Sequence, residues 1–168
     1  MEAAVRRRSR LPGDPARRRS GAQARGLTRY LRGLGDEVTR SDREEPHVAE
    51  LDPGDRRDTT RPRAIAADYR KVVLGDALPP ARRAFLRDLL ERNTTGDNRI
   101  RAGLPRGWTV ADRTGTGTYG AMNDIAIAWP PRADPLVIAV MSRRRTEDAT
   151  RDEALIAEAA TFIAGALT

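Results

Sequence analysis

Few residues in this 168-residue chain can act as a nucleophile, a metal ligand or a proton carrier. It has no cysteine, which excludes disulfides, thiol nucleophiles and cysteine-ligated metals. Its one histidine, His47, cannot build a histidine-rich metal site alone, so a zinc enzyme of the usual kinds is not expected. No cofactor is expected either. The serines are Ser9, Ser20, Ser41 and Ser142, and the single lysine is Lys71. A carboxylate can take a proton from water when held within hydrogen-bond reach. The run Arg43-Glu44-Glu45-Pro46 offers two such groups in a charged loop, although alone it reads as solvated surface. Residues 114–120 (TGTGTYG) set hydroxyls and glycines at what reads as a strand end and turn.

These side chains need elements to hold them. Helical texture starts at residue 26, where Thr28 reads as a cap, Leu31 and Leu34 share a face, and Gly35 ends the helix. Residues 36–60 are polar, with Pro46 and Pro53-Gly54, and an ordered loop of that length is often functional. Thr60 and Pro62 open a second helix with the stripe Ile65, Tyr69, Val72 and Val73, closing at Leu74-Gly75-Asp76. Pro79-Pro80 opens a third, whose apolar side is Phe85, Leu86, Leu89 and Leu90. Beyond the polar stretch 93–107, residues 108–111, 125–129 and 136–141 read as strands, and their short connections make an antiparallel meander. Residues 151–167 form a closing helix with Leu155, Ile156, Ala159, Ala160, Ile163 and Leu167 inward. That helix covers one face of the sheet. Nothing in the pattern supplies a cover for the other, and an uncovered apolar face is costly. Trp108, Tyr119 and Trp129 read as packing residues.

Charge narrows the function classes. The formal net charge is +7, but residues 1–25 contain eight arginines and two acids, while the remaining 143 residues carry 23 bases and 22 acids. The basicity is local. Clustered arginines attract phosphate without selectivity, and no recognition fold or aromatic platform accompanies them, so no specific nucleic-acid partner is expected. No run approaches about 18 apolar residues, the length of a membrane-spanning helix. The arginines are not followed by the apolar stretch of a secretory signal, so the chain as given is expected to be cytoplasmic.

At Arg113-Thr114-Gly115-Thr116-Gly117, followed by Tyr119-Gly120 and Asn123-Asp124-Ile125-Ala126, the chain resembles the active-site strand of class A serine β-lactamases. The motif there is Lys-Thr-Gly, with arginine first in some members. Further segments match in order: LTRYLRGLGDEVTR (27–40), DREEP (42–46), PGDRRDTT (53–60), VLGDAL (73–78), NTTGDNRIRAGLPRGW (93–108) and the closing helix with RDE (151–153). The resemblance covers about residues 26–168 and implies an α+β fold of the β-lactamase/transpeptidase kind. It also implies a family that opens β-lactam rings by acylating a serine, then hydrolyses the acyl-enzyme with glutamate-activated water.

By that resemblance Glu45 matches the general base for deacylation. The family's asparagine four residues later, which helps hold the water, is Ala49 here. Arg43 and Asp58 match a salt bridge joining the ends of an omega-like loop, 42–58. Arg113 and Thr114 match the residues at the substrate carboxylate, and the backbone N–H of Thr116 one half of the oxyanion hole. Arg99 matches a carboxylate-holding arginine of some members, with Arg101 its near rival. The implied partner is a β-lactam small molecule, without metal or cofactor, acted on by a monomer. The family is secreted or periplasmic.

Other family signatures have no match. Its nucleophilic serine is followed three residues later by lysine, one helical turn that puts hydroxyl and amine on one face. Three residues beyond the four serines stand Pro12, Gln23, Glu44 and Arg145. The Ser-Asp-Asn motif is absent, since Ser41-Asp42 is followed by Arg43. The expectation is therefore the C-terminal part of such an enzyme, truncated, incomplete in fold and inactive as given. The alternative is a non-catalytic remnant that binds carboxylates or β-lactams weakly. The segments expected are 1–25, arginine-rich and disordered or out of frame; 26–107, a partial helical region; and 108–168, the C-terminal part of the α/β domain.

Overall fold

Two helical layers enclose the expected meander. The computed structural model describes residues 25–43, 47–49 and 52–167; the arginine-rich head up to residue 24, and Glu45, lie outside the described residues. Helix α1 (25–33) ends as its glycine requires. Gly35 takes φ +85°, where a side chain would be strained, and Gly35 N–H and Asp36 N–H return to the carbonyls of Arg32 and Leu31, both at 3.0 Å. Thr28 lies inside α1 rather than capping it. Its hydroxyl exchanges hydrogen bonds with the backbone of Ser41, donating to the carbonyl at 3.0 Å and accepting from the N–H at 2.9 Å. Thr60 does not cap the next helix, because Arg61 occupies that position; its hydroxyl lies 2.7 Å from that of Thr39 instead.

Helix α2 (Pro62–Tyr69) widens into a π-helical turn over Arg70–Leu74, and α3 (Pro80–Glu91) starts on its proline. A short α4 (Ile100–Gly103) leads to strands β1 (Thr109–Thr116), β2 (Met122–Trp129) and β3 (Leu136–Ser142). Helix α5 (Glu153–Leu167) follows. The sheet is antiparallel in the order β1-β2-β3, with Thr109 opposite Trp129 and Met122 opposite Ser142. Its centre strand is buried on both faces over the run IAIA, as the sequence pattern requires.

Strand parity divides the core. Val110, Met122, Ala126 and Ile138 share one face and pack with Ile100 of α4 and Ile156 and Ala160 of α5. Ala111 and Ile127 face the other way and meet Val73 and Leu90, with Tyr69, Val72, Leu86, Trp129 and Val137 around them. Gly103 permits the first layer, since a Cβ there would fall 2.0 Å from the carbonyl oxygen of Ala157. The expectation of an incomplete fold with one sheet face bare is thus corrected. The α2–α3 layer, which in sequence looks like a separate unit, is the cover for that face, because short connections fold its apolar stripe back onto Ala111 and Ile127. Not every residue assigned inward is buried: Phe85 (58%), Leu89 (46%) and Leu167 (60%) remain exposed.

Beneath α1 two buried carboxyls meet. Asp36 Oδ1 accepts the N–H groups of Val38 at 2.7 Å and Thr39 at 3.0 Å. Neither Asp68 oxygen, nor Asp36 Oδ2, has a donor if both groups are ionised. Burial, then the Asp36 carboxylate as hydrogen-bond partner and neighbouring charge, push Asp68 up to about 7, against the opposing charges of Lys71 and Arg32. At Asp36 burial also pushes the carboxyl up but is outweighed by the bonds from Thr39, Val38 and Asp68, which hold it down at about 2. One proton shared between the pair gives Asp36 Oδ2 and one Asp68 oxygen a partner. Because Asp68 holds its proton more tightly folded than unfolded, its contribution is full below the ordinary carboxylate range. That contribution falls as pH rises toward 7 and is flat above it. Replacing Asp68 by Asn, which donates permanently, should therefore raise stability at pH 8 by roughly 1–3 kcal/mol and leave it nearly unchanged at pH 4. Urea titrations of the two chains at both pH values check this.

Candidate active site

The C-terminal end of β1 gathers most of the chemistry. Gly117 N–H bonds Ala121 carbonyl at 3.1 Å, so by antiparallel alternation the Thr116–Met122 pair is a non-hydrogen-bonded one. The N–H of Thr116 therefore points away from β2, out of the β1 edge, where it can donate to an incoming oxygen. Alternation also divides the side chains. Thr114 and Thr116 project on the α4–α5 side, while Arg113 projects on the α2–α3 side, exposed, where its charge reaches the Tyr69 hydroxyl. Burial of Tyr69 nonetheless dominates and pushes that phenol up to about 12.

Arg99 stands behind the strand end at the cap of α4, 5% exposed. Its Nη1 donates to the carbonyls of Gly115 (3.1 Å) and Asn123 (2.9 Å), its Nη2 to Thr116 Oγ1 (2.8 Å) and its Nε to Glu153 Oε1 (3.1 Å). Four of its five N–H donors are thereby taken. The structure brings Arg99 beside the β1 end as a bracket, and its charge reaches a ligand chiefly through the Thr116 hydroxyl. Since that hydroxyl accepts from Arg99, its own proton is left for an anion. Arg101 goes elsewhere. Its Nη2 donates to Asp112 Oδ1, deep in the sheet.

Residue types alone do not reveal the polar layer under this surface. Asp112 is wholly buried and is satisfied by Arg101 and by Asn93 Nδ2 at 2.6 Å. Asp124, 2% exposed, accepts Ile100 N–H at 3.1 Å through Oδ2 and leaves Oδ1 without a partner. Burial pushes Asp124 up to about 7, assisted by the charge of Asp112. Thr95, Asn93 and Glu153 complete the set that sequence reasoning missed. The signals available were the matched segments 93–108 and 151–153 and the acidic residues at inward positions of β1 and β2.

An ion pair ties the two ends of the long loop. Arg43 Nε donates to Asp58 Oδ2 at 2.6 Å, and Asp58 Oδ1 accepts the N–H groups of Asp42 (2.7 Å) and Arg43 (2.9 Å). Burial raises the cost of ionising Asp58, but these bonds and the guanidinium outweigh it and hold the carboxyl below its usual range. Asp58 adopts a left-handed φ of 52°, which an aspartate bonded to local backbone tolerates. A cavity of about 270 Å³ separates this loop end from Ala121, Asn123 and Met141 of the sheet. Another, of about 660 Å³, opens beside Thr116 and Gly117, walled by residues 147–151. Among the described residues no three His, Cys, Asp or Glu side chains gather as a metal site, and no helix is long and apolar enough to cross a membrane.

Comparison with known proteins gives this geometry a context. The model of the "Beta-lactamase enzyme family" matches residues 18–167. Beta-lactamase FAR-1 of Nocardia farcinica is 55% identical over 142 residues, 84% of this chain and 45% of its own length. A beta-lactamase of Amycolatopsis lactamdurans is 49% identical over 166 residues, 99% of this chain and 55% of its own. Among solved structures, the beta-lactamase from Streptomyces albus G superposes with a TM-score of 0.86 at 47% identity, covering 90% of this chain and 56% of that one. The chain spans about half the length of the curated relatives it matches.

These matches overturn two expectations. The likeness does not begin near residue 26, because the family match starts at residue 18 and the Amycolatopsis alignment takes in nearly the whole chain. The match thus takes in 84–99% of this chain and is not confined to the residues from 26 onward. Nor do the matches support the expectation of an inactive, truncated hydrolase or a non-catalytic remnant, since 84–99% of this chain aligns with proteins named as β-lactamases, of which it spans about half.

Removing the Arg43 guanidinium should leave the Asp58 side chain, 4% exposed, without its cation. The expected cost of Arg43→Ala is roughly 2–4 kcal/mol in urea unfolding. Asp58→Asn, which keeps an acceptor for the two N–H groups, should lose less.

Proposed function

The chain belongs to the β-lactamase enzyme family, and we propose that it acts in hydrolysis of the β-lactam amide by the family's acyl-enzyme route, supplying at the end of β1 the carbonyl and carboxylate site, while none of its four serines matches the family's nucleophile. The observation that carries this reading is the Thr116 N–H directed out of the strand edge beside a hydroxyl backed by a buried guanidinium. A donor held there by the sheet meets the ring oxygen without reorganising, and its bond strengthens as negative charge develops in the tetrahedral transition state. The Thr116 and Thr114 hydroxyls and the charge of Arg113 attract the substrate carboxylate, which orients the ring carbonyl against the N–H.

Deacylation needs a base. Glu45, on the loop whose ends Arg43 and Asp58 join, takes a proton from water as the water oxygen attacks the acyl carbonyl; the ester bond to the nucleophile's oxygen then breaks, and that oxygen receives the proton. With Ala49 four residues on, the water has no side-chain amide from that position, so its placement rests more heavily on Glu45.

A chromogenic cephalosporin tests the reading. Saturable binding, or turnover above buffer and proportional to protein concentration, is expected, and absence of both would overturn it. Glu45→Gln should slow hydrolysis by roughly 10²–10⁴-fold. Arg113→Ala should raise KM more than it lowers kcat, since the charge serves ground state and transition state alike.

A further inference from the structure

Thr114 offers a ligand one hydroxyl, and the proton of that hydroxyl is already committed. Thr114 Oγ1 lies 2.6 Å from Thr95 Oγ1, and Thr95 Oγ1 lies 2.9 Å from Asn93 Oδ1. The Asn93 amide is oriented by its other end, where Nδ2 donates to the buried Asp112 carboxylate at 2.6 Å. An amide oxygen only accepts, so the proton between Thr95 and Asn93 belongs to Thr95. A hydroxyl has one proton, so the proton between Thr95 and Thr114 belongs to Thr114. Every donor in the line points inward, toward Asp112. The turn is seated for this purpose, because Gly96 lies so close to Asp112 that a Cβ would fall 1.9 Å from Oδ2.

From this geometry we propose that Thr95 is a positioning residue for Thr114: through Asn93 it transmits the orientation set by buried Asp112 to the hydroxyl that meets the substrate carboxylate. Without a ligand Thr114 shows the cleft only lone pairs, whereas Thr116 keeps its proton available because Arg99 donates to it. When a carboxylate arrives, Thr114 turns its proton outward and Thr95 turns its own proton to Thr114, so the short contact is kept with its polarity reversed. The Thr95 N–H, 3.4 Å from Asn93 Oδ1, remains for the amide. Hydrogen bonds linked in this way strengthen one another, which supports the donor facing the carboxylate. Valine at position 95 can neither accept nor donate, so it abolishes both arrangements.

The carboxylate role rests on the β-lactam reading above, and the test separates the two. In the ligand-free chain, exchange of the Thr114 hydroxyl proton measured by NMR should be slow in wild type and fast in Thr95→Val. Equal exchange would overturn the relay whatever the chain hydrolyses. With a cephalosporin bearing its free carboxylate, Thr95→Val should raise KM, or Kd where binding alone is read, by roughly 3–10-fold with kcat within about twofold. Thr95→Ser should restore it. The methyl ester of the same cephalosporin should lose little, because no anion draws the proton outward. An equal loss for acid and ester, or a serine variant no better than valine, would overturn the proposal. Wild type that binds neither compound would remove the β-lactam reading while the proton-exchange result still decides the relay. Thr95 is exposed, so the valine chain is expected to fold, and its circular dichroism confirms that.

Discussion

An arginine placed in a protein interior must find acceptors for its N–H groups, and the shape of the β1 end follows from where Arg99 finds them. Its guanidinium bridges two carbonyls on neighbouring strands, a threonine hydroxyl on the last residue of β1 and a carboxylate at the start of α5. A planar, permanently charged fork can satisfy four acceptors in one fixed arrangement, which a lysine cannot do. The strand end, the first turn of α5 and the entrance to α4 are thereby locked together. The outward N–H of Thr116 gains its direction from β-pairing and its rigidity from this bracket.

Around that bracket lie buried carboxyls that solve the same solvation problem in different ways. Asp112 stays satisfied through Arg101 and Asn93, Asp124 through one backbone N–H with burial favouring its neutral form, and Asp68 through a proton shared with Asp36. A buried charge without partners costs several kcal/mol, so each of these groups constrains its neighbours. Asp112 constrains most, because Asn93, Thr95 and Thr114 follow from it in one line. The hydroxyls at the surface of the candidate site are oriented from beneath.

Much of the fold was legible because periodicity reports faces. The switch from helical spacing to strands at residues 108–141, the π-turn ending at Gly75 and the closing helix all appear where apolar spacing and turn residues place them. The bare sheet face was a false expectation for a definite reason. Period-two and helical patterns state that an element has an apolar side, but not which other element meets it, and the stripe on α2 meets Ala111 and Ile127. Thr28 and Thr60 misled likewise, since a threonine near a helix start suits a cap equally well as a tie to a distant loop. Of the candidate site, motif order singled out Arg113, Thr114, Thr116, Arg43 and Asp58, while Asn93, Thr95 and Glu153 lay inside matched segments without a role, because their partners are far away in the chain.

The sequence by itself determined most of the helices and strands and the family to which these motifs point. Those are properties of backbone geometry and local order, written in consecutive residues. Tertiary structure alone decided which of Arg99 and Arg101 stands behind the strand end, which carboxyls are buried, and which way the Thr114 proton points. Each depends on partners far apart in the chain, as Arg99 does on Glu153. Hydrogen-bond direction is set by the most constrained group in a network, and here that group is an aspartate the fold has buried.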